Sequence, residues 1–391
     1  MVDPYTRRGH SNGKGHDVTS FAITGVAGPL GRALAARLDA DPTVDRIVGI
    51  DRSPPPMPPA KLDFVRADLR DPVPARALAG VDVVVTTQDA AGGNGDRSHG
   101  LGARATRQVL DAVDAAGAGT FVHVSTALVY GASETNPVPL TEQIAPRARP
   151  DYPPAHLALI TEEAVQSFAQ AHPDRRVVIL RPVTVLGTGI DSPVTRHLES
   201  PLLPMVRGCD PPVQFVDVDD VAMAAHLVAT EPRARGVYNV AAEGWLTTSD
   251  VRRLLARPTV HLPRQTAVGV AAALHRGGLL TTPPGALSYL MHPWVVDTTR
   301  LRDLGWHAAA GQREILHRFV AEHGPWLSVG RIRVRTVRLV TAIIGAGAAT
   351  GLGAAWLMWR RWRARWAGPG RARARRPIRR RRDRSSARGS S

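Results

Sequence analysis

Three glycines spaced as GxxGxxG, Gly25, Gly28 and Gly31, follow the apolar run Phe21-Ala22-Ile23-Thr24 and open a segment rich in Ala, Leu and Arg. In such a set the first glycine permits a tight turn, the second lets a phosphate approach the backbone, and the third lets helix and strand pack closely. Free amides at the helix N-terminus, aligned with its dipole, then face the anion. A glycine triplet alone is weak evidence. Here it is joined by Asp51, which ends the next apolar run twenty residues past Gly31. A carboxylate there accepts hydrogen bonds from ribose hydroxyls and repels a 2'-phosphate. The pattern is that of a Rossmann dinucleotide site taking NAD, with NADP disfavoured even though Arg52 is adjacent.

The elements that must hold this turn show as short apolar runs alternating with helix-length segments. Strands are expected over 18–24, 46–51, 62–67, 81–86, 120–125 and 176–181, with helices over 31–38 and 100–118 between them. That alternation implies a parallel sheet covered on both faces, and right-handed crossovers make it doubly wound. The fold class is therefore α/β. A Rossmann domain spans 18–181, and a smaller C-terminal substrate lobe, 182–323, is interleaved with it and carries helices at 218–229 and 248–255. Asp219 and Asp220 precede an apolar helical segment and read as N-capping residues. Arg196 and Arg207 are either a clamp for a diphosphate or solvated surface charges. His123, inside the fifth strand, reads as packed rather than catalytic. No His, Cys or carboxylate cluster has metal-ligand spacing, so no metal is expected.

From 18 to about 323, some three quarters of the chain, the sequence resembles the extended short-chain dehydrogenase/reductase family. Within it, the resemblance is to the NAD-dependent epimerase/dehydratase group that includes UDP-glucose 4-epimerase. Thr24 to Gly31 is similar to its TGxxGxxG, Asp51 to its ribose acid, and Ala67-Asp68-Leu69 to its third-strand motif. The stretch from Val122 to Gly131 is similar to its VSSxxVYG, and Leu180-Arg181-Pro182 and Phe215 to Ala222 resemble later markers. The resemblance implies a nucleotide sugar or related hydroxyl substrate, tightly held NAD, and a homodimer through helices near Gly100 and His156. It also implies that the Asp68 side chain holds the adenine amino group, with Leu69 beside it.

Catalysis in that family uses a Ser or Thr on the substrate oxygen, a Tyr to move the proton, and a Lys four residues later. The lysine lowers the tyrosine pKa from about 10. Thr126, four residues before Tyr130 and preceded by Ser125, fills the first place. The tyrosine that opens the next helix is Tyr152, and four residues on stands His156, making YxxxH. No lysine follows Lys61, so another residue would have to supply the charge, and His156, with an unperturbed pKa of about 6.5, is the candidate. A second departure is Thr86-Thr87-Gln88-Asp89, where the family has HLAA beside the cofactor. Two readings stand. One is an epimerase-type NAD-dependent oxidoreductase using Thr126, Tyr152 and His156. The other is a catalytically degenerate nucleotide-binding regulatory or scaffold protein at the membrane.

Charge is concentrated at one end of the 391 residues. Positions 360–388 hold fourteen arginines against Asp383, which accounts for +13 of the net +16. A nearly neutral body with a basic end argues against a nucleic-acid-binding fold and for an electrostatic appendage. Residues 339–359 are twenty-one without a charge, ending in Trp356 and Trp359. As a helix they would span about 30 Å, enough to cross a hydrocarbon core. Arg331, Arg333, Arg335 and Arg338 make both flanks basic. A shallow or re-entrant helix on anionic lipid, or a buried soluble one, therefore competes with a true span. The remaining divisions are a disordered N-terminus at 1–17, a basic linker at 324–338 and an Arg-rich disordered tail at 360–391. One cysteine, Cys209, excludes an intramolecular disulfide and gives no sign of an oxidising compartment, so the body is expected in the cytoplasm, attached to the cytoplasmic membrane through the C-terminal helix.

Overall fold

The computed structural model describes residues 19–69, 75–87, 103–323, 326–329 and 332–335. Strands β1 (Thr19–Thr24), β2 (Val44–Asp51), β3 (Leu62–Arg66), β4 (Val83–Thr86), β5 (Thr120–Val124) and β6 (Arg176–Pro182) come first. Helix α1 (Pro29–Ala40) joins β1 to β2, α2 (Ala103–Ala116) precedes β5, and α3 (Pro153–Ala171) precedes β6. Four short strands follow, β7 (Thr184–Leu186), β8 (Leu203–Val206), β9 (Pro212–Val213) and β10 (Phe215–Asp217), with α4 (Pro193–Glu199) among them. Helix α5 (Val218–Thr230) then returns the chain to the main sheet as β11 (Gly236–Val240). The sheet runs β11-β6-β5-β4-β1-β2-β3, and every pairing in it is parallel.

Side chains alternate across a strand, so a strand buried on both faces must be apolar throughout. Phe21, Ile23, Val85, Val124 and Leu180 point to one face, where they share a core with Leu30 and Leu34 of α1 and Val221 and Val228 of α5. Ala22, Val48, Val84, Phe121 and Ile179 point to the other, beneath Val113 of α2 and Val165 and Phe168 of α3. The two apolar sets lie on opposite faces of one sheet, which is the doubly wound arrangement.

The smaller lobe is built from paired short strands. β10 lies beside β7, β9 beside β12 (Leu246–Thr247), and β8 beside β13 (Thr259–Leu262). Helices α6 (Thr248–Leu255), α7 (Arg264–Arg276), α8 (Ser288–Met291), α9 (Thr299–Arg302) and α10 (Gln312–Glu322) surround them. Its core holds Leu198, Phe215, Leu246, Leu316 and Phe319. Within the stretch read as a basic linker, β14 (Trp326–Val329) pairs antiparallel with β15 (Ile332–Arg335).

Two features differ from the sequence expectations. The edge strand β11 lies inside the stretch assigned to the lobe and brings the sheet to seven strands. The capping of α5 is also corrected. The helix starts at Val218, so Asp217 is the cap and accepts from the Asp219 amide at 2.9 Å. Asp220 is buried and instead accepts from the Ala309 amide at 2.9 Å, tying the helix to the lobe. The expectations for 1–17, 339–359 and 360–391 lie outside the described residues. Among the described residues no helix is long and apolar enough to cross a membrane.

Close approach of helix to strand at Gly31 gives a test of this packing. A Cβ there would lie 2.2 Å from the Gly25 carbonyl oxygen, whereas one at Gly119 would meet nothing within 4 Å. Gly31→Ala is expected to destabilise the chain by at least about 2 kcal/mol and Gly119→Ala by less than about 1 kcal/mol. Denaturant unfolding of the two variants checks the contrast.

Candidate active site

The glycine turn is fixed by its neighbours. Gly25 has φ of 82° and donates its amide to the Ile50 carbonyl at 2.9 Å, holding the end of β1 to β2. Gly28 is the N-cap of α1 and has no side chain to cover the amides of the first turn. Asp51 accepts from the Ala27 amide at 3.0 Å through Oδ2 and from the Arg52 amide at 2.7 Å through Oδ1. Thr87, just past β4, donates its hydroxyl to the Thr24 carbonyl at 3.0 Å. Strand order reverses between β1 and β4, and in sheets of this type ligands bind in the crevice at that switch point. Asp68 and Leu69 follow β3 on the same side, with Leu69 buried. Glycines without Cβ atoms, an acid beside them and a partly buried Asp68 fit the adenosine diphosphate half of a dinucleotide. Gln88 and Asp89 lie outside the described residues.

Beyond β5 the backbone passes through Ser125 and Thr126 into a 3-10 turn, Ala127–Tyr130, whose N-cap is Thr126. Its hydroxyl accepts from the Leu128 amide at 3.3 Å. Ser125 is buried and donates to Glu162 Oε1 at 2.5 Å. Glu162 in turn receives Nη2 of Arg181 at 2.6 Å and Nε at 3.0 Å, and both partners are 1% exposed. The guanidinium lies over the Tyr130 ring, 4.7 Å from its centre, and the Tyr130 hydroxyl donates to Asn239 Oδ1 at 2.8 Å. Burial drives the Tyr130 hydroxyl above its ordinary pKa against the opposing pull of Arg181. One network thus joins β5, α3, β6 and β11. Sequence reasoning noted Arg181 within a motif but missed Glu162. The available signal was a lone carboxylate on the buried face of a helix, which demands a cation. His123 is buried with Nδ1 2.8 Å from the Thr86 hydroxyl, and burial pushes its pKa down to about 4.

Tyr152 is the N-cap of α3. Its ring is buried against Tyr289, with centroids 5.2 Å apart, and burial pushes its hydroxyl up to about 12. It packs beside Leu128, two residues after Thr126, and both Leu128 and Tyr152 line a cavity of about 320 Å³ that extends into the lobe. The His156 ring places Nδ1 3.4 Å from the Ala148 carbonyl. At 3.6 residues per turn, the helix face that carries Glu162 to Ser125 also carries Ala158 and Ala155. His156, six residues before Glu162, is turned about 120° from that face. The structure therefore gathers Thr126 and Tyr152 around Leu128 and directs His156 toward the loop at Ala148.

Comparisons agree with this architecture. The family model described as the NAD dependent epimerase/dehydratase family matches residues 21–241. An uncharacterized protein of Mycobacterium tuberculosis is 31% identical over 302 residues, covering 73% of this chain and 78% of that protein. The UDP-glucose 4-epimerase of Thermotoga maritima, solved with UDP-glucose, is 18% identical with a TM-score of 0.58, covering 78% of this chain and 98% of that one. DesIV, a dTDP-glucose 4,6-dehydratase of Streptomyces venezuelae solved with NAD, is 21% identical with a TM-score of 0.58, covering 78% and 96%. At these identities the likeness to the solved structures is one of fold.

Removing one partner of a buried ion pair strands the other charge. Glu162→Ala is expected to destabilise the full chain by about 3–5 kcal/mol, whereas Glu162→Leu combined with Arg181→Met recovers most of that loss. Equilibrium unfolding of both variants measures the coupling.

Proposed function

Because the chain belongs to the NAD dependent epimerase/dehydratase family, we propose that it is an NAD-dependent oxidoreductase of the epimerase type. Its substrate would be a nucleotide sugar or a related compound bearing a secondary hydroxyl. The observation that carries this reading is the turn at 25–31 with Asp51 bonded to its Ala27 amide, set where strand order reverses. In this reading the amides around Gly25, Gly28 and Gly31 hold the pyrophosphate and Asp51 accepts from the ribose hydroxyls. Asp68 takes the adenine amino group, with Leu69 packed beside it. NAD held there would supply reversible hydride-transfer chemistry at the substrate carbon. Thr126 donates to the substrate oxygen, Tyr152 carries the proton, and His156, one helical turn on, would supply positive charge. The solved structures named with NAD and with nucleotide sugars support this reading. The proposal extends to a homodimer through α2 and α3, and to lipid contact by the basic C-terminal segment.

A second reading, a catalytically degenerate nucleotide-binding scaffold, is favoured by one observation. The face of α3 that meets Ser125 carries Ala155, Ala158 and Glu162 and no cationic side chain. Under that reading NAD binds and nothing turns over.

Calorimetric titration of the full chain, freed of carried-over cofactor, tests the shared premise. NAD is expected to bind with micromolar or tighter affinity and NADP at least about tenfold more weakly, with Asp51→Asn narrowing the gap. No binding by folded protein overturns the enzyme reading. Catalysis is tested by pH. A hydroxyl pushed up to about 12 holds its proton at neutrality. It therefore serves as an acid toward an alkoxide but accepts a proton only as pH rises. Alcohol oxidation, followed as NADH absorbance, is expected to quicken about tenfold per pH unit from roughly 7 to 10. Tyr152→Phe is expected to abolish that slope.

A further inference from the structure

The cavity beside Tyr152 has walls of a particular kind. Met205, Val206, Leu262, Val270, Leu274 and Leu290 are among its lining residues. The helix α7 explains half of this, because Ala267, Val270, Ala271 and Leu274 fall on one helical face and that face borders the cavity. Apolar side chains continue to its rim, where Val270, Leu274 and Leu279 remain 43%, 39% and 52% exposed. Exposed apolar surface leading into an apolar cavity marks a path for an apolar ligand.

Charge is scarce among the described lining residues. Arg196 is the arginine among them, and its guanidinium is held by Asp191 through two hydrogen bonds, Nε to Oδ1 at 2.7 Å and Nη2 to Oδ2 at 3.1 Å. His197 also lines the cavity, and burial pushes its pKa down to about 4, so it is neutral at physiological pH. Arg207, the other arginine considered for a diphosphate clamp, does not line it. The Tyr289 hydroxyl is spent on the Leu128 carbonyl at 2.8 Å. A diphosphate entering here would lose its water and find a guanidinium already neutralised by a carboxylate, which is unfavourable for any buried anion. Among the lining hydroxyls, the buried Thr184 Oγ1 has no hydrogen-bond partner among the described residues, and neither has the Tyr152 hydroxyl.

We propose that this cavity holds an uncharged, apolar substrate body, so that the compound oxidised is a hydrophobic alcohol, a hydrocarbon ring or chain carrying a secondary hydroxyl, rather than a diphosphate conjugate. This rests on the oxidoreductase reading above and narrows its substrate class. The hydroxyl proton passes to the Tyr152 phenolate as the carbon–hydrogen bond breaks with its electron pair going to NAD+, which yields the ketone, NADH and neutral Tyr152. Entry over α7 leaves the hydroxyl at the Leu128 and Tyr152 end, nearest Thr126.

The test uses the full chain and N-phenyl-1-naphthylamine, a neutral apolar fluorophore, with NAD titrated separately by calorimetry. Saturable low-micromolar fluorescence enhancement is expected, undiminished by millimolar UDP-glucose. Val270→Glu and Leu274→Glu, placed at half-exposed positions where a charge is tolerated by the fold, are each expected to weaken the probe at least tenfold while leaving NAD affinity unchanged. Displacement of the probe by UDP-glucose, equal binding by wild type and both variants, or no saturable binding would each overturn the assignment. Probe binding that behaves as expected in a chain that binds no NAD supports the cavity's chemistry while overturning the oxidoreductase reading, so the two failures are distinct.

Discussion

Glu162 and Arg181 are both withdrawn from water, and the geometry at the carboxyl ends of β5 and β6 follows from keeping them together. Neither charge is tolerable alone at 1% exposure. Helix α3 must therefore sit where Glu162 reaches β6, and Ser125 must turn inward to complete the carboxylate's bonding. The next residue, Thr126, is then presented outward at the start of a 3-10 turn, and Tyr130 is drawn under the guanidinium. Because Tyr130 bonds Asn239 on β11, the same constraint reaches the sheet edge. A cluster that does no chemistry itself thus sets the place where chemistry is proposed.

The second constraint is steric. Gly31 leaves α1 close enough to β1 for the amides of its first turn to face the switch-point crevice, and Asp51 and Thr87 clamp the turn from β2 and β4. Leu128, two residues past Thr126, lines the lobe cavity together with Tyr152. A dinucleotide lying across the crevice would point its reactive end toward that cavity, where Tyr152 stands at the wall. Burial pushes that tyrosine's hydroxyl up to about 12, so in the proposed reaction it would protonate an alkoxide readily and the oxidative direction would call for alkaline pH.

Much of this was legible in the sequence. Six strands of the sheet were placed within one or two residues, because strands buried on both faces read as continuous apolar runs such as Val177 to Leu180. Glycine spacing and Asp51 announced the turn because few residue types satisfy a positive φ or a 2.2 Å approach. Other features depend on contacts between distant segments and were not legible. The strand Gly236–Val240, exposed at its first residue and carrying Tyr238 and Asn239, takes its place from pairing with β6. Asp220 looked like a cap until the helix start at Val218 turned it toward Ala309. Glu162 carried no spacing signal linking it to Arg181. The apolar character of the lobe cavity arises from segments as far apart as Leu128 and Trp294.

The central claim is that the turn at 25–31 is a dinucleotide cradle facing Tyr152 across Leu128. A crystal structure of the full chain grown with saturating NAD tests it most directly. The account requires the pyrophosphate on the amides between Val26 and Gly31, the adenosine ribose hydroxyls on Asp51, and the nicotinamide within reach of Thr126 and Tyr152. A well-ordered dinucleotide bound elsewhere, or a crevice that stays free of it at saturation, would contradict the account.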